Sequence, residues 1–325
     1  MFQGDIADGR ALAQQGLDEA RNLGLRGVES RMLNTLSVAA SLQGDEVAQL
    51  DLTRQSLQAS RDTGDRVNEA ISLSNLGGGW MSLGDLLQAR RELDAALQLL
   101  RANGDRVIEG AALASLSTLA LWQGDETRAL ALARQALDIA VATQARDHEV
   151  IAALHLGDAE LALGRSAAAR QAYAQARERA LEIDSAWQHD ASAGLARVAL
   201  ADRGLAWASA AAPAAVAAEE ADAALQALQP LLDHIAAGGT LDGTEEPRLI
   251  ELTVHQTLAR TGDPRAADWL TRAHTALMAQ ADAISPHSAD ATLRHGFLHN
   301  IPHYREIVAA WARHVAGTEA ASGSG

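Results

Sequence analysis

The densest set of metal-type ligands in the chain is His287, His295, His299 and His303, with Asp290 nearby. His295 and His299 are four residues apart, a spacing that puts two imidazoles on one face of a continuous helix, as a zinc site requires. Gly296 and Pro302 interrupt that run, and no His-Glu-x-x-His sequence accompanies it. Surface and capping roles are therefore expected, with no metal and no other cofactor. Glu219-Glu220 and Glu245-Glu246 could form acid–base pairs, but they lie in Ala-rich and loop sequence, and solvated charges are expected there. The chain has no cysteine, so it has neither a thiol nucleophile nor a disulfide framework. There is no Gly-x-Ser-x-Gly nucleophile elbow. Lysine is absent too, and a phosphate-binding loop of the Gly-x-x-x-x-Gly-Lys-Ser/Thr kind cannot be written without it. The expectation is a protein that binds and does not catalyse.

Composition narrows the class of partner. Hydrophobic residues make up 48% of the 325, yet aromatics only 3%. The apolar mass is Ala and Leu, which favours helix. A formal net charge of −15 argues against a nucleic-acid footprint, which needs a basic face. No apolar stretch approaches the ~20 residues of a membrane span, and no basic-then-apolar leader precedes the first helix. A soluble, cytoplasmic, helical protein is expected, with no nucleic-acid or membrane partner.

The elements that would position any site repeat along the chain. Gly4-Asp5, Gly44-Asp45, Gly84-Asp85 and Gly124-Asp125 stand 40 residues apart, and Gly164 and Gly204 continue the series without the Asp. Gly24, Gly64 and Gly104 fall halfway between. Each unit is therefore two segments of about 17 residues closed by short turns. Gly suits the left-handed position after a helix end, and the following Asp can cap the next helix. Leu36, Leu76, Leu116 and Leu156 share one column, with Leu33, Leu73 and Leu113 three residues before. Ala89, Ala129 and Ala169, then Ala96, Ala136 and Ala176, form small-residue columns in the second segment. Small residues let two helices approach while leucines fill the space between. Glu29, Glu69, Glu109 and Glu149 recur in a first turn, where a carboxylate complements the helix dipole.

"LSNLGGGW" (residues 73–80) and "ALHLGDAE" (153–160) resemble the Leu-Gly step of the first helix of tetratricopeptide (TPR) repeats, and the Ala columns resemble the second helix. The resemblance covers about residues 1–205. It implies an all-α right-handed superhelical solenoid of about five long helix pairs, the usual period being about 34. Gln144 and Arg165 replace expected turn residues, and the fifth unit keeps only Gly204. Residues 206–224 read as an Ala-rich insertion, 225–316 as a helical carboxyl-terminal cap, and 317–325 as a disordered tail. "GDPRAADWLTRAHTALMAQADAI" and "LRHGFLHNIPHYREIVAAW" are similar to the carboxyl-terminal TPR region of large bacterial STAND- or AAA-type ATPase regulators. Some of those proteins carry a nucleotide cyclase or DNA-binding domain. "MFQGD" looks like the tail of a first helix, so Met1 is expected to be a truncated start, with residues 5–22 an orphan second helix. The other expectation is that this exposed helix pairs with another subunit.

In such an array the first helices form the concave wall. Taking the Leu-Gly step as reference, the resemblance puts Arg31, Asn34, Ser74, Thr118, Trp122, His155 and Asp158 on a groove stripe. Acidic chaperone tails are not expected as partners, because the family's receptors for them use Lys and Asn clamps and only Asn34 is available. The expected function is the sensor or scaffold region of a bacterial signalling regulator, with a protein or peptide segment in the groove. A small-molecule or peptide inducer site and a free-standing oligomerising adaptor are the alternatives.

Overall fold

A computed structural model describes residues 2–201, 218–284 and 291–322. The periodic Gly204, most of the Ala-rich insertion, His287 and Asp290 lie outside these residues. The described residues form fifteen α-helices and no strand. They are α1 (Phe2–Asn22), α2 (Arg26–Leu42), α3 (Glu46–Thr63), α4 (Arg66–Ser82), α5 (Leu86–Asn103), α6 (Arg106–Trp122), α7 (Glu126–Thr143) and α8 (Arg146–Ala162). The chain continues through α9 (Ser166–Glu182), α10 (Trp187–Ala201), α11 (Ala218–Ala236), α12 (Pro247–Thr261), α13 (Arg265–Ile284), α14 (Ala291–Asn300) and α15 (Pro302–Ser322). The last helix thus runs through residues 317–322, where the composition suggests a tail. No described helix is long and apolar enough to cross a membrane.

The chain divides into two compact units, Met1–Leu119 with Gln280–Phe297, and Ala120–Ala279 with Leu298–Gly325. In the first, α1 to α5 pack each against the next. In the second, α8 packs against both α7 and α9, and α10 against both α9 and α11.

One backbone feature sets the helix lengths. Gly24, Gly44, Gly64, Gly84, Gly104, Gly124 and Gly164 all have φ between +68° and +76°. The series has a period of 20 residues, and its gaps are filled by Gln144 (φ +56°) and Asp184 (φ +52°). Each left-handed residue lets the next amide reach back to the helix it closes, as Asp65 N–H donates to the Ser60 carbonyl at 2.9 Å. The Asp behind the glycine then opens the next helix. Asp45, Asp65, Asp85 and Asp125 each accept a bond from the N–H three residues on.

Arg–Glu–Arg clamps fix the joints. Glu69 accepts from Arg61 Nε at 3.0 Å, across the turn, and from Arg66 Nη1 at 2.8 Å on its own helix. Glu29 is held likewise by Arg21 and Arg26, and Glu109 by Arg101 and Arg106. Hydrogen bonding to Arg26 is the largest influence on Glu29 and lowers its pKa. Burial would raise that of Glu69, but the bonds from Arg61 and Arg66 outweigh it and the pKa is lowered. In the fourth unit Val141 takes the first Arg position, and Glu149 is met instead by Arg179 from α9 at 3.2 Å. These glutamates therefore hold consecutive helices together as well as favouring the helix dipole.

Packing between helices is matched column by column. A Cβ on Gly77 would lie 2.4 Å from Leu93 Cγ, and one on Gly157 would lie 2.6 Å from the Tyr173 ring. The same two columns pair Ser37 with Thr53 and Ser117 with Ala133. A large residue in one helix thus meets glycine in the other. In the first unit Ser56 occupies the column of Ala96, Ala136 and Ala176. Its hydroxyl lies 3.1 Å from that of Ser30 and 2.9 Å from that of Ser72, so these buried polar groups satisfy one another.

These contacts set three expected outcomes in denaturant unfolding. Gly78 is helical with open space at its Cβ position, so Gly78→Ala should stabilise by up to about 1 kcal/mol. Gly77→Ala should destabilise by about 1–3 kcal/mol, because Leu93 must shift. Gln144→Gly should stabilise by about 1 kcal/mol through relief of its left-handed backbone.

Candidate functional site

In the first unit, Arg31 is exposed on α2, and Ser74 and Thr118 are half-buried on α4 and α6. Asn34 is buried, its Oδ1 accepting from Ser72 Oγ at 3.2 Å, while its Nδ2 makes no hydrogen bond among the described residues. The open end of this surface is apolar, with Val38 48% and Leu42 65% exposed.

The second unit concentrates polar groups. His155 and Asp158 stand one turn apart on α8. His155 is buried, while Asp158 is half-buried and accepts from Arg197 Nη2 at 2.7 Å and from the Tyr173 hydroxyl at 2.5 Å. The Arg197 guanidinium also lies over the Tyr173 ring, 5.6 Å from its centroid. Burial raises the Tyr173 pKa well above its ordinary value. Burial would lower that of Arg197, but the contacts with Tyr173 and Asp158 outweigh it and keep the guanidinium charged. Asp158 is thus a neutralised member of a core network as well as a surface residue.

The start of α12 meets this network from far along the chain. Asp190, buried on α10, accepts from the backbone N–H groups of Glu245 at 3.1 Å and Glu246 at 3.0 Å. Burial pushes the Asp190 pKa up to about 8, with the two amide bonds opposing. Glu246 is the N-terminal cap residue of α12, but its side chain makes no capping bond. Asp190 thus ties the segment entering α12 to α10 through the amides of Glu245 and Glu246. Glu246 Oε2 lies 3.3 Å from His303 Nε2, and Glu245 Oε1 lies 3.9 Å from His155 Nε2. His303 is itself flanked by the Trp122 ring at 6.2 Å and the Tyr304 ring at 4.6 Å, both edge-on. The Glu245 side chain lies beside His155 and keeps 38% exposure. Its pKa is raised by burial and by the nearby Glu246 and Asp158 charges, against an opposing effect of His155.

Of the residues named from sequence, this polar cluster brings together His155 and Asp158, with Trp122 reached through His303. The sequence reading missed Tyr173, Asp190 and Arg197, and it treated Glu245 and Glu246 as loop charges. The one local signal was Glu-Glu-Pro at a helix start, since proline at the first helical position marks where α12 begins. His303 stands in a polar–aromatic contact. No group of three or more His, Cys, Asp or Glu able to hold a metal occurs among the described residues.

The chain matches no family model and no curated protein. Solved structures share its fold. A Rap protein complexed with Competence and Sporulation Factor is 12% identical over 88% of this chain and 76% of that one, with a TM-score of 0.60. BtubC (BKLC) from P. vanneervenii is 15% identical over 71% of this chain and 92% of that one, with a TM-score of 0.56. The Rap conjugation gene regulator of plasmid pLS20, in complex with the Phr* peptide, is 12% identical over 86% and 74%, with a TM-score of 0.50. At these identities the likeness defines the fold, a TPR-like helical-repeat solenoid.

A pH test follows from α10. His189 is buried against the His234 ring, with centroids 4.6 Å apart, and burial, then His234, push its pKa down from 6.5 to about 4. Between these values the unfolded chain binds more protons than the native one, so this stability contribution falls as pH falls from about 6.5 to 4. Asp190 acts with the opposite sign, its native form holding a proton up to about pH 8. His189→Gln removes only the first effect. The difference in Tm between the native chain and this variant should shrink in favour of the variant from pH 7 to pH 4.5. A constant difference would contradict the assignment.

Proposed function

We propose that the chain is a non-catalytic binding module whose first-helix faces take an extended protein or peptide segment. The observation that supports it most is the polar cluster on α8, α10 and the start of α12. It places the Glu245 and Glu246 carboxylates beside His155 and His303. The peptide complex of a structure with the same fold agrees with this reading. The resemblance of residues 225–312 to bacterial ATPase regulators supports a place within a larger signalling protein, in the cytoplasm. Arg31, Asn34, Ser74 and Thr118 in the first unit, and Trp122, His155 and Asp158 in the second, are the proposed contact residues. The closeness of Glu245 to His155 and Asp158 gives a second reading some support, a small inducer held beside them. The exposed Leu12 on α1 supports self-association as a further role.

Peptide display on the purified chain, followed by calorimetry, tests this. Arg31→Ala, in the first unit, or Trp122→Ala, in the second, should weaken a selected peptide by about fivefold or more without loss of helicity. Glu178→Ala, on the exposed side of α9, should not. Unchanged affinity in both groove variants would move the contacts off the first helices.

A further inference from the structure

Asn103 is the last residue of α5 and Gly104 follows it, the one Asn-Gly pair in the chain. Gly104 holds a left-handed position of the 20-residue series, with φ +73°. Both residues are exposed. At the equivalent positions Gly24, Gly44, Gly64, Gly84, Gly124 and Gly164 each donate their N–H to the carbonyl three residues back. The Gly104 N–H makes no hydrogen bond among the described residues, and the closure there rests on Asp105 N–H to the Leu100 carbonyl at 3.1 Å.

The side chain before the glycine departs from the pattern as well. Thr63 and Thr143 precede Gly64 and Gln144, and their hydroxyls donate back to their own helices. Asn103 reaches across to α4 instead, its Nδ2 donating to the Arg66 carbonyl at 3.1 Å. An exposed side-chain amide is thus followed by a backbone nitrogen that no carbonyl holds and no Cβ shields.

We propose that Asn103-Gly104 is a site of spontaneous deamidation, which converts Asn103 to aspartate or isoaspartate and loosens the joint between α4, α5 and α6. The Gly104 nitrogen attacks Cγ of Asn103. An N–Cγ bond forms and closes a cyclic imide, the amide proton passes to solvent hydroxide, and the Cγ–Nδ2 bond breaks to release ammonia. Water then opens the imide. Cleavage at Cγ restores the main chain with an aspartate, and cleavage at the Asn103 main-chain carbonyl routes the chain through the side chain as isoaspartate. One water enters and one ammonia leaves. The helical backbone of Asn103 turns its Cγ away from the Gly104 nitrogen, so the reaction runs when the last residue of α5 frays. Fraying breaks the Arg66 bond, and no bond from Gly104 opposes it. Either product sets a carboxylate where a donor met the Arg66 carbonyl. It also adds negative charge at the carboxyl-terminal end of α5, which the helix dipole disfavours.

The full chain is incubated at 37 °C in mildly alkaline buffer, sampled over two weeks, and digested with trypsin, which cuts after Arg101 and Arg106. A sample digested at once gives the conversion during digestion. Mass spectrometry of the Ala102–Arg106 peptide reads deamidation as a gain of about 1 Da, and electron-transfer fragmentation separates aspartate from isoaspartate. Asn22 is the internal control, an exposed last residue of α1 followed by Leu23. Asn103 should convert about tenfold or more faster than Asn22, and Asn103→Gln should remove the gain from that peptide. Asn103→Asp should melt at a lower temperature than Asn103→Gln, which keeps an amide donor. Conversion at Asn103 no faster than at Asn22 overturns the site. Fast conversion with equal melting temperatures of the two variants keeps the site and overturns the loosening of the joint.

Discussion

The structure depends on a left-handed residue placed every 20 positions. A right-handed helix cannot pass through that conformation, so each helix stops there. The next amides fold back onto it, and the following Asp begins another helix. Because the interval is fixed, each helix has 17 or 18 residues over most of the array. Equal lengths keep the same columns facing one another from unit to unit. Glycine adopts this backbone without the Cβ clash that other residues incur. Gln144 and Asp184 show that the position is demanded even where glycine is missing.

The Arg–Glu–Arg clamps act at the same joints. Each buries one carboxylate and leaves two guanidinium stems near the surface. Breaking one arm leaves the buried carboxylate on a single guanidinium, and breaking both strands a buried charge, which is costlier than the surface exposure of the arginines suggests. The polar cluster of the second unit uses the same residue types in a different balance. There a single Arg is committed to Asp158, and two further carboxylates face imidazoles. Repetition thus supplies the scaffold, and departure from it supplies this polar cluster.

The repeat was legible in the sequence because glycine, Asp and leucine are needed at fixed positions for local reasons. The Ala columns are buried as read, for the same cause, while the Glu column was read for the helix dipole alone. Gln144 was recognised as a replacement at a turn, while Asp184 was not, since neither residue type declares a left-handed backbone. The clamps were half visible: the Glu column stood out, but its Arg partners lie on two different helices. The polar cluster was least legible. His155 and Asp158 could be placed by their column, yet Glu245 and Glu246 come from 90 and 88 residues further on, and His303 from further still. Their approach depends on how α10 and α12 pack, and no periodicity encodes that.

Interchangeable units are the central claim, and one deletion tests it. Removing residues 25–64 joins Gly24 to Asp65, two residues that already form this turn with other partners. Arg21 then stands where Arg61 stood and can clamp Glu69. Leu17 replaces Leu57 in its column. Thermal unfolding followed by circular dichroism at the helix band is the measurement. The account expects the same helicity per residue and a single cooperative transition. Lost helicity or a broad, non-cooperative melt would show that the closure and clamp do not define a self-sufficient joint.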